Sequence, residues 1–451
     1  MFHRVTRRMF LKGTAAAAGL TVLGGSSRAG AYEANQKLNC ANIGVGGRGG
    51  GHLGPAASEN LVAICDVDAN TLAGVAKKYP QAKKFADYRQ LFDEMAKSID
   101  VVFVATPDHH HFPASLAALQ RGKHVYCEKP LTHSIWEART LTLEARKAKV
   151  ATQMGNQGQA SEGRRRLCEF IWAGAISKVT EVHIWTDRAV GWWPQGRNRP
   201  AYTDPVPASL NWDLWLGPAP ERPFVSVWRE PEYQNEKKQV YHSFVWRGWW
   251  DFGTGALGDI ACHAMDPAFR ALKLTSPVAV EAKCEGLTAE MFPLWSIITY
   301  EYPARGDMPP VKLVWYDGKK QPPRPEELEP DRKWDFNGTL FVGDKGKLLF
   351  DGTPHIIPET KMKEFKRPEP TLPRTPGNDH HTDFFIAAKG GRPAVSNFDF
   401  ASLVTESALV GNISIRLGGK RLEWDGPNMK ARNAPEAQQY VKREYRKGWT
   451  L

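Results

Sequence analysis

The sequence predicts an α/β protein with a doubly wound parallel sheet over residues 36–155 and a strand-rich second domain over 156–451. Three observations predict it. Short apolar runs alternate with helical patterns at the spacing of βαβ units across the first 155 residues. The first of these runs breaks into glycines in NIGVGGRG, Asn42–Gly49. Beyond residue 178 the segments VTEVHIWT, VAVEAKCEG, WSIITYEYP and VKLVWYD are strand-like, and GTLFVGDKGKLLFDG reads as a hairpin.

KLNCANI is the first strand. Gly44, Gly46 and Gly49 follow as G-x-G-x-x-G, with Gly47 and Arg48 inside the motif. This spacing supplies a tight turn, close backbone approach to a pyrophosphate, and close packing of the next helix. The N–H groups and dipole at that helix's start favour an anion. LVAICD is the second strand, and its last residue, Asp66, lies where a carboxylate accepts hydrogen bonds from the adenosine ribose and disfavours a 2′-phosphate. The expected cofactor is therefore NAD rather than NADP. The other role open to Asp66 is a turn or helix cap before VDANT. VAKKY and YRQLFDEMAK read as helices, DVVFVATP as a buried strand, and HFPASLAALQRG as a helix ending at Gly122. HVYCEKP, WEARTLTLEARKAK and VATQMG complete the domain as strand, helix and strand.

Ahead of this domain stands TRRMFLK, Thr6–Lys12. Arg4, Arg7, Arg8 and Lys12 precede an apolar run, Gly13–Gly24, and a small-residue site, RAGA, Arg28–Ala31. That order is a cleavable signal, too short to persist as a spanning helix. The twin arginines fill the Tat pattern, so residues 1–31 are expected to direct export, giving a periplasmic or otherwise exported protein with no stable membrane insertion after cleavage. Cleavage removes five Lys/Arg and no Asp/Glu, lowering the formal charge from +11 to +6. Basic residues such as Arg164–Arg166 lack interleaved aromatics and read as solvated surface, which excludes a nucleic-acid groove. The six cysteines are scattered without a C-x-x-C pair, so neither structural disulfides nor a zinc cluster is expected. His109, His110 and His111 invite a metal, but no acids or cysteines complete a shell, and no metal site is expected.

With EKP, Glu128–Pro130, the pattern becomes specific. G-x-G-x-x-G, ATPDHHH, EKP, GTGALGDIACH (Gly253–His263) and HTDFFIAAKGGRP (His381–Pro393) together resemble the Gfo/Idh/MocA oxidoreductases, over essentially the whole mature chain. The resemblance implies a Rossmann domain followed by a domain with a large open mixed, mainly antiparallel sheet. The flat face of that sheet often makes the oligomer contact, so a homo-oligomer is implied. Lys129 is placed between cofactor and substrate, and Asp259 and His263 beside the nicotinamide. If helical, the D-x-x-x-H spacing puts that pair on one face. His263 is assigned as general base, with Asp259 and Lys129 positioning the hydroxyl. Thr106, Pro107 and His111 resemble the loop flanking the nicotinamide ring, Glu128 joins the cofactor contacts, and His109 and His110 read as exposed. Asn156 and Gln157 are expected to face the cleft, Asn156 toward both cofactor and substrate. Trp246 and Arg247 resemble a cofactor-touching pair, whereas Trp249 and Trp250 read as core. GTG at Gly253–Gly255 is shorter than the glycine run of relatives, which leaves the substrate pocket open in detail.

The segment Asp187–Trp250 holds eight tryptophans and many prolines. Aromatic faces stack on sugar C–H faces, which suits a carbohydrate; Trp212 and Trp215 instead read as packing. An export signal before a nucleotide loop implies a cofactor loaded before export and kept bound. The expected function is an exported NAD-dependent oxidoreductase moving hydride between a sugar or glycoside hydroxyl, with C3 one option, and a retained nicotinamide. Two alternatives stand beside it. One is a redox-neutral NAD-dependent glycosidase working by transient C3 oxidation and elimination. The other is a non-catalytic sugar or nucleotide sensor, against which the joint retention of Lys129, Asp259 and His263 argues.

Overall fold

The computed structural model describes residues 36–233 and 239–449; the export signal expected at 1–31 lies outside them. Six strands, β1 (Asn39–Ile43), β2 (Asn60–Cys65), β3 (Lys83–Phe85), β4 (Val101–Val104), β5 (His124–Cys127) and β6 (Thr152–Met154), form one parallel sheet in the order β3-β2-β1-β4-β5-β6. Every residue of β4 is buried, the uninterrupted apolar pattern of a strand covered on both faces. The chain runs outward from β1 to β3 and then returns to β4 on the other side of β1. The crevice beyond the carboxyl ends of β1 and β4 is thus the topological switch point, where ligands of such sheets bind. The edge strand β3 was not expected. It has three residues, two of them exposed lysines, too few to show an apolar run.

The helices between these strands start where their caps dictate. Asp68 Oδ1 accepts from the Asn70 and Thr71 amides at 2.8 and 3.3 Å, so the helix cap considered for Asp66 falls on Asp68. Ser134 and Glu137 form a reciprocal capping box at the start of Ile135–Ala148.

Nine strands form the second sheet: β7 (Val179–Trp185), β8 (Ala279–Glu285), β9 (Trp295–Tyr302), β10 (Val311–Tyr316), β11 (Gly338–Gly343), β12 (Gly346–Phe350), β13 (Pro354–Ile357), β14 (Leu422–Asp425) and β15 (Lys430–Ala431). Their order is β13-β12-β11-β7-β10-β9-β8-β14-β15. Only β7 and β10 pair in parallel, so the sheet is mixed and mainly antiparallel. The buried helix Phe398–Arg416 joins the two halves. Glu406 accepts both nitrogens of a fork from Arg139 at 3.0 and 2.7 Å, and Ser414 Oγ accepts from the Ala282 amide of β8 at 3.0 Å. A second late helix, His380–Ala388, covers the first sheet, its Phe384 and Phe385 rings about 6 Å from Phe103.

The Arg164–Arg166 run departs from expectation. It lies on the helix Glu162–Trp172, where consecutive side chains point about 100° apart and cannot share one solvated face. Arg164 and Arg165 are buried, the first beside Asp266 at 3.5 Å, the second donating to the carbonyls of Gln159 and Pro373. Trp212 and Trp215 stack at 4.7 Å within a satellite core of Phe224, Tyr241 and Phe252. All six cysteines are free. Among the described residues no helix is long and apolar enough to cross a membrane.

Candidate active site

A cavity of about 750 Å³ runs along the carboxyl ends of the first sheet, from Asp87 and Tyr88 behind β3 to Asp259 and His263 beyond β5. At its first end the glycines divide their labour. Gly44 has φ +79°, and a Cβ there would fall 2.6 Å from the Ala105 carbonyl oxygen; a Cβ on Gly49 would overlap the Gly44 carbonyl oxygen. Around Gly47, at φ +48°, nothing lies within 4 Å of an added Cβ. Gly44, Gly46, Gly47 and Arg48 line the cavity, forming an open backbone cradle of the kind that receives a pyrophosphate. Gly49 does not line it. Its role is packing rather than contact, because its missing side chain lets the next helix close on the turn.

Asp66 lines the same end. Its Oδ2 accepts from the Val45 and Gly46 amides at 3.0 and 3.3 Å, and its Oδ1 from the Asp68 amide at 3.0 Å. The carboxylate pins the glycine turn to β2; with roughly four lone-pair sites it can still accept a ribose hydroxyl. Burial pushes its pKa up while those amides pull it back. The cradle and the acid fit an NAD molecule laid with its adenosine over β2 and its nicotinamide toward β5.

At the other end three charges meet. Lys129 Nζ lies 2.6 Å from Asp259 Oδ1 and 2.9 Å from the Asp259 carbonyl, and Arg247 Nε donates to the same Oδ1 at 2.9 Å. Burial opposes the charge on Asp259, but Lys129 and Arg247 outweigh it and hold its pKa well below the carboxylate range. Asp259 and His263 stand one turn apart on the helix Gly255–Ala264, and both line the cavity. Burial, then the charges of Lys129 and Arg164, lower the His263 pKa to about 3, so its imidazole is neutral.

Glu128 ties the two ends together, accepting from Arg48 Nε and Gln157 Nε2, both at 2.9 Å, with His52 Nε2 at 3.1 Å. Burial works against that carboxylate, yet His52, Arg48 and Lys129 hold its pKa far down. The His111 ring nitrogens lie 2.7 Å from the Pro130 carbonyl and 3.0 Å from the Thr106 carbonyl, a pairing that suits a doubly protonated ring. Burial opposes that charge, but Cys127, Asp108 and the Pro130 carbonyl raise its pKa to about 9. His111 thereby clasps the Thr106–Pro107 loop, which lines the cavity, to the EKP turn.

Residues 38–156 match the oxidoreductase family, NAD-binding Rossmann fold, and residues 174–451 match the oxidoreductase family, C-terminal alpha/beta domain, both of Gfo/Idh/MocA. The chain belongs to the Gfo/Idh/MocA family. It is 30% identical to inositol 2-dehydrogenase of Salmonella typhimurium over 152 residues, 32% of this chain and 45% of that one. It is 30% identical to D-glucoside 3-dehydrogenase of Escherichia coli over 130 residues, 29% of this chain and 36% of that one. The chain thus spans less than half the length of these relatives. Its fold is similar to that of an inositol dehydrogenase homolog from Azotobacter vinelandii solved with NADH and myo-inositol, with TM-score 0.55, 16% identity, and 86% and 98% of the two chains covered.

Most residues singled out from the family motifs converge on the cavity: Lys129, Gln157, Trp246, Arg247, Asp259 and His263 all line it. Asn156 does not. It is fully buried, and its Nδ2 donates to Asp266 Oδ2 at 3.0 Å and the Cys262 carbonyl at 3.2 Å, bracing the His263 helix from behind. Gln157, one residue on, takes the cleft-facing place. His109 and His110 are buried rather than exposed, because the helix begins at Asp108 and turns both rings under the Trp215 segment. His109 lies 3.2 Å from the Phe252 carbonyl, and both rings lie 3.0 Å from that of Trp215. Among the described residues no group of His, Cys, Asp or Glu could hold a metal ion.

Several wall residues escaped the sequence reading, Asp108, Arg188 and Trp449 among them. Asp108 sits inside ATPDHHH and is buried against Thr254 Oγ1 at 2.6 Å, a contact no spacing announces. Arg188 comes from a loop with no family motif, whereas its neighbour Trp192 belongs to the tryptophan-rich segment singled out above and lines the cavity. Trp449 reaches the adenosine end from the chain terminus, near Tyr88 and His110 and under the Arg89 guanidinium. Its segment is strapped down by Arg443 and Tyr445, each 2.7 Å from buried Glu137, and by Arg446 on Asp213 at 2.6 Å.

Proposed function

We propose that the mature chain is an NAD-dependent oxidoreductase that exchanges hydride with a secondary hydroxyl of a sugar or glycoside, at C3, and that it retains its cofactor after export through the Tat route. The observation that carries the reading is the Lys129–Asp259–Arg247 knot beside a neutral His263, at the end of a cavity whose other end is a glycine cradle. Bound NAD supplies the hydride acceptor there.

The chain's own residues supply the rest. His263, neutral at working pH, has a free lone pair to accept the hydroxyl proton. A base of such low pKa is weak, so the alcohol must be made more acidic. Lys129 does this by donating toward the developing alkoxide from a half-buried position on the cavity wall. Asp259 holds the ammonium in place, and Arg247 fixes the carboxylate. The carbinol carbon loses its hydrogen as hydride and its oxygen loses a proton to His263, leaving a ketone. The likeness to D-glucoside 3-dehydrogenase supports C3, and the filled Tat pattern ahead of a nucleotide loop supports export with a retained cofactor.

The test uses purified mature protein with no added nucleotide, mixed with sugars and aryl glycosides. A stoichiometric rise in nicotinamide absorbance together with a keto-sugar by mass spectrometry is expected. Aglycone release without net reduction would replace the dehydrogenase with a redox-neutral glycosidase. Absence of any nucleotide on denaturation would end the retained-cofactor part of the reading.

A further inference from the structure

His263 stands in the last turn of the helix Gly255–Ala264, where the final carbonyls lack amide donors from their own helix. The chain turns at Met265 into the helix Asp266–Leu272, and side chains from an earlier segment take the carbonyls at this joint. Asn156 Nδ2 donates to the Cys262 carbonyl at 3.2 Å, and Arg164 Nη2 donates to the carbonyl of His263 itself at 2.6 Å.

Arg164 reaches that carbonyl through a gap left by a glycine. Its side chain is 10% exposed and passes Gly158, where a Cβ would overlap Nη1. Gly158 follows Gln157 in the turn Gln157–Ala160. The guanidinium thus lies between the turn that carries one cavity-lining residue and the helix that carries another. Asp266 stands 3.5 Å away, fully buried, and its Oδ2 also accepts from Asn156. Arg165 and Arg270 face that same carboxylate. A cation is favoured at a helix C-terminus, and a guanidinium keeps its charge across the working pH range.

We propose that Arg164 is the positioning residue of the proton acceptor: by holding the His263 carbonyl it fixes where the ring stands beside Lys129 and Asp259, and it sets a permanent positive charge behind that ring. Arg164 does not itself line the cavity. The proposal rests on the assignment of His263 as base and deepens it. The groups facing His263 are Lys129 and Glu128 from the EKP turn, Asp259 from its own helix with Arg247 upon it, Arg164, and His380 from the helix His380–Ala388. Burial, Lys129 and Arg164 act against an imidazolium, and Glu128 and Asp259 act for it. Burial raises Asp266 to about 6, so in mild acid this carboxylate takes a proton and leaves the guanidinium less compensated. Resistance to protonation behind His263 therefore grows as pH falls from neutrality.

The test follows the ring directly, by NMR titration of protein carbon-13 labelled at histidine, with His263→Gln to assign the signal. The unaltered ring should stay neutral down to pH 5. Arg164→Met should raise its titration by about one unit, the scale of one nearby like charge, and Arg164→Lys should raise it by less. Asp266→Asn removes the counter-charge and keeps the cation, so the titration should not rise. The acid limb of kcat should move with the titration in each variant, with the sugar KM little altered. An unchanged titration in Arg164→Met overturns the proposal. An equal rise in Asp266→Asn also overturns it, because loosening of the helix would then be the cause. Should Arg164→Met fail to fold, Arg164→Gln loses the charge, keeps an N–H donor and carries the same expectation. If no sugar reduces nicotinamide while the titration still depends on Arg164, the dehydrogenase falls and the hold of Arg164 on His263 stands.

Discussion

The two ends of the cavity are built by different means. The phosphate end comes from one continuous stretch, Gly44–Gly49, and its shape is held by backbone conformation: positive φ angles, a carbonyl where a Cβ would go, and Asp66 gripping two amides. The reacting end is assembled from distant segments. Lys129 and Asp259 are 130 residues apart, and only their opposite charges and the helix Gly255–Ala264 bring them within 2.6 Å. A backbone-built end should fail as a structure, whereas a charge-built end should fail as chemistry with the fold kept.

The largest expected effect is at the charge-built end. Lys129→Met removes the proposed donor to the developing alkoxide and should lower kcat by about a thousandfold, within the range for such groups. Bound nucleotide, measured after denaturation, should stay at the level of the unaltered protein, since Asp259 keeps Arg247 as partner. A parallel loss of nucleotide would show that the two ends are not separable. At the other end, Gly49→Ala forces a methyl into the Gly44 carbonyl and should cost about 1–3 kcal/mol of stability, together with the bound nucleotide. Gly47→Ala meets open space and bears only the penalty of its positive φ, about 1 kcal/mol. Thermal unfolding with and without NAD orders the two, and equal losses would mean the turn is not as tight as its geometry.

The same contrast decides how much was legible in the sequence. Gly44, Asp66 and the alternating strands could be read because their signals are local: spacing along the chain fixes spacing in space. Lys129, Asp259 and His263 were legible only through family motifs, since nothing in EKP alone says that its lysine meets an aspartate of a later helix. Asn156 was misplaced because direction into or out of a cleft turns on one residue of register, and Gln157 has the other direction. His109, His110, Arg164 and Arg165 were read as exposed because their polarity was weighed without their partners. Buried carbonyls and Asp266 make those places habitable. Trp449 left no signal at all. It is a lone aromatic whose place is set by Arg443, Tyr445 and Arg446 gripping residues that lie hundreds of positions earlier.

That strap makes the adenosine end a mixed case, a backbone cradle closed by a side chain from elsewhere. Trp449→Ala removes the aromatic wall near Tyr88 and Asp87. If the ring stacks on adenine, stopped-flow displacement of NADH should be roughly tenfold faster, in line with one base–aromatic stack, and kcat with saturating nucleotide should hold. An unchanged release rate would assign retention to the glycine cradle and Asp66 alone.

The smallest expected effect is an absence of change with pH, and it probes the charge-built end without altering a residue. His263 has its pKa lowered from 6.5 to about 3 by burial and by Lys129 and Arg164, so its neutral form persists through the mildly acidic range. Turnover should stay level from pH 7 to pH 5, where an ordinary histidine would already be mostly protonated and unable to accept a proton. The same shift has a sign for stability. The unfolded chain binds this proton near 6.5 and the folded chain not until about 3, so the residue's contribution is full above pH 6.5 and is lost as pH falls toward 3. His110 and His381, each lowered to about 4 chiefly by burial, act in the same direction. Asp266 and Asp317, raised to about 6 by burial, act against them, because their folded forms take up protons first. Lys129→Met removes one of the charges that depress His263, so the residual activity of that variant should acquire an acid limb at higher pH than the unaltered protein shows. An acid limb near 6.5 in the unaltered protein would mean that the proton acceptor is a solvated histidine, and His263 would lose the role.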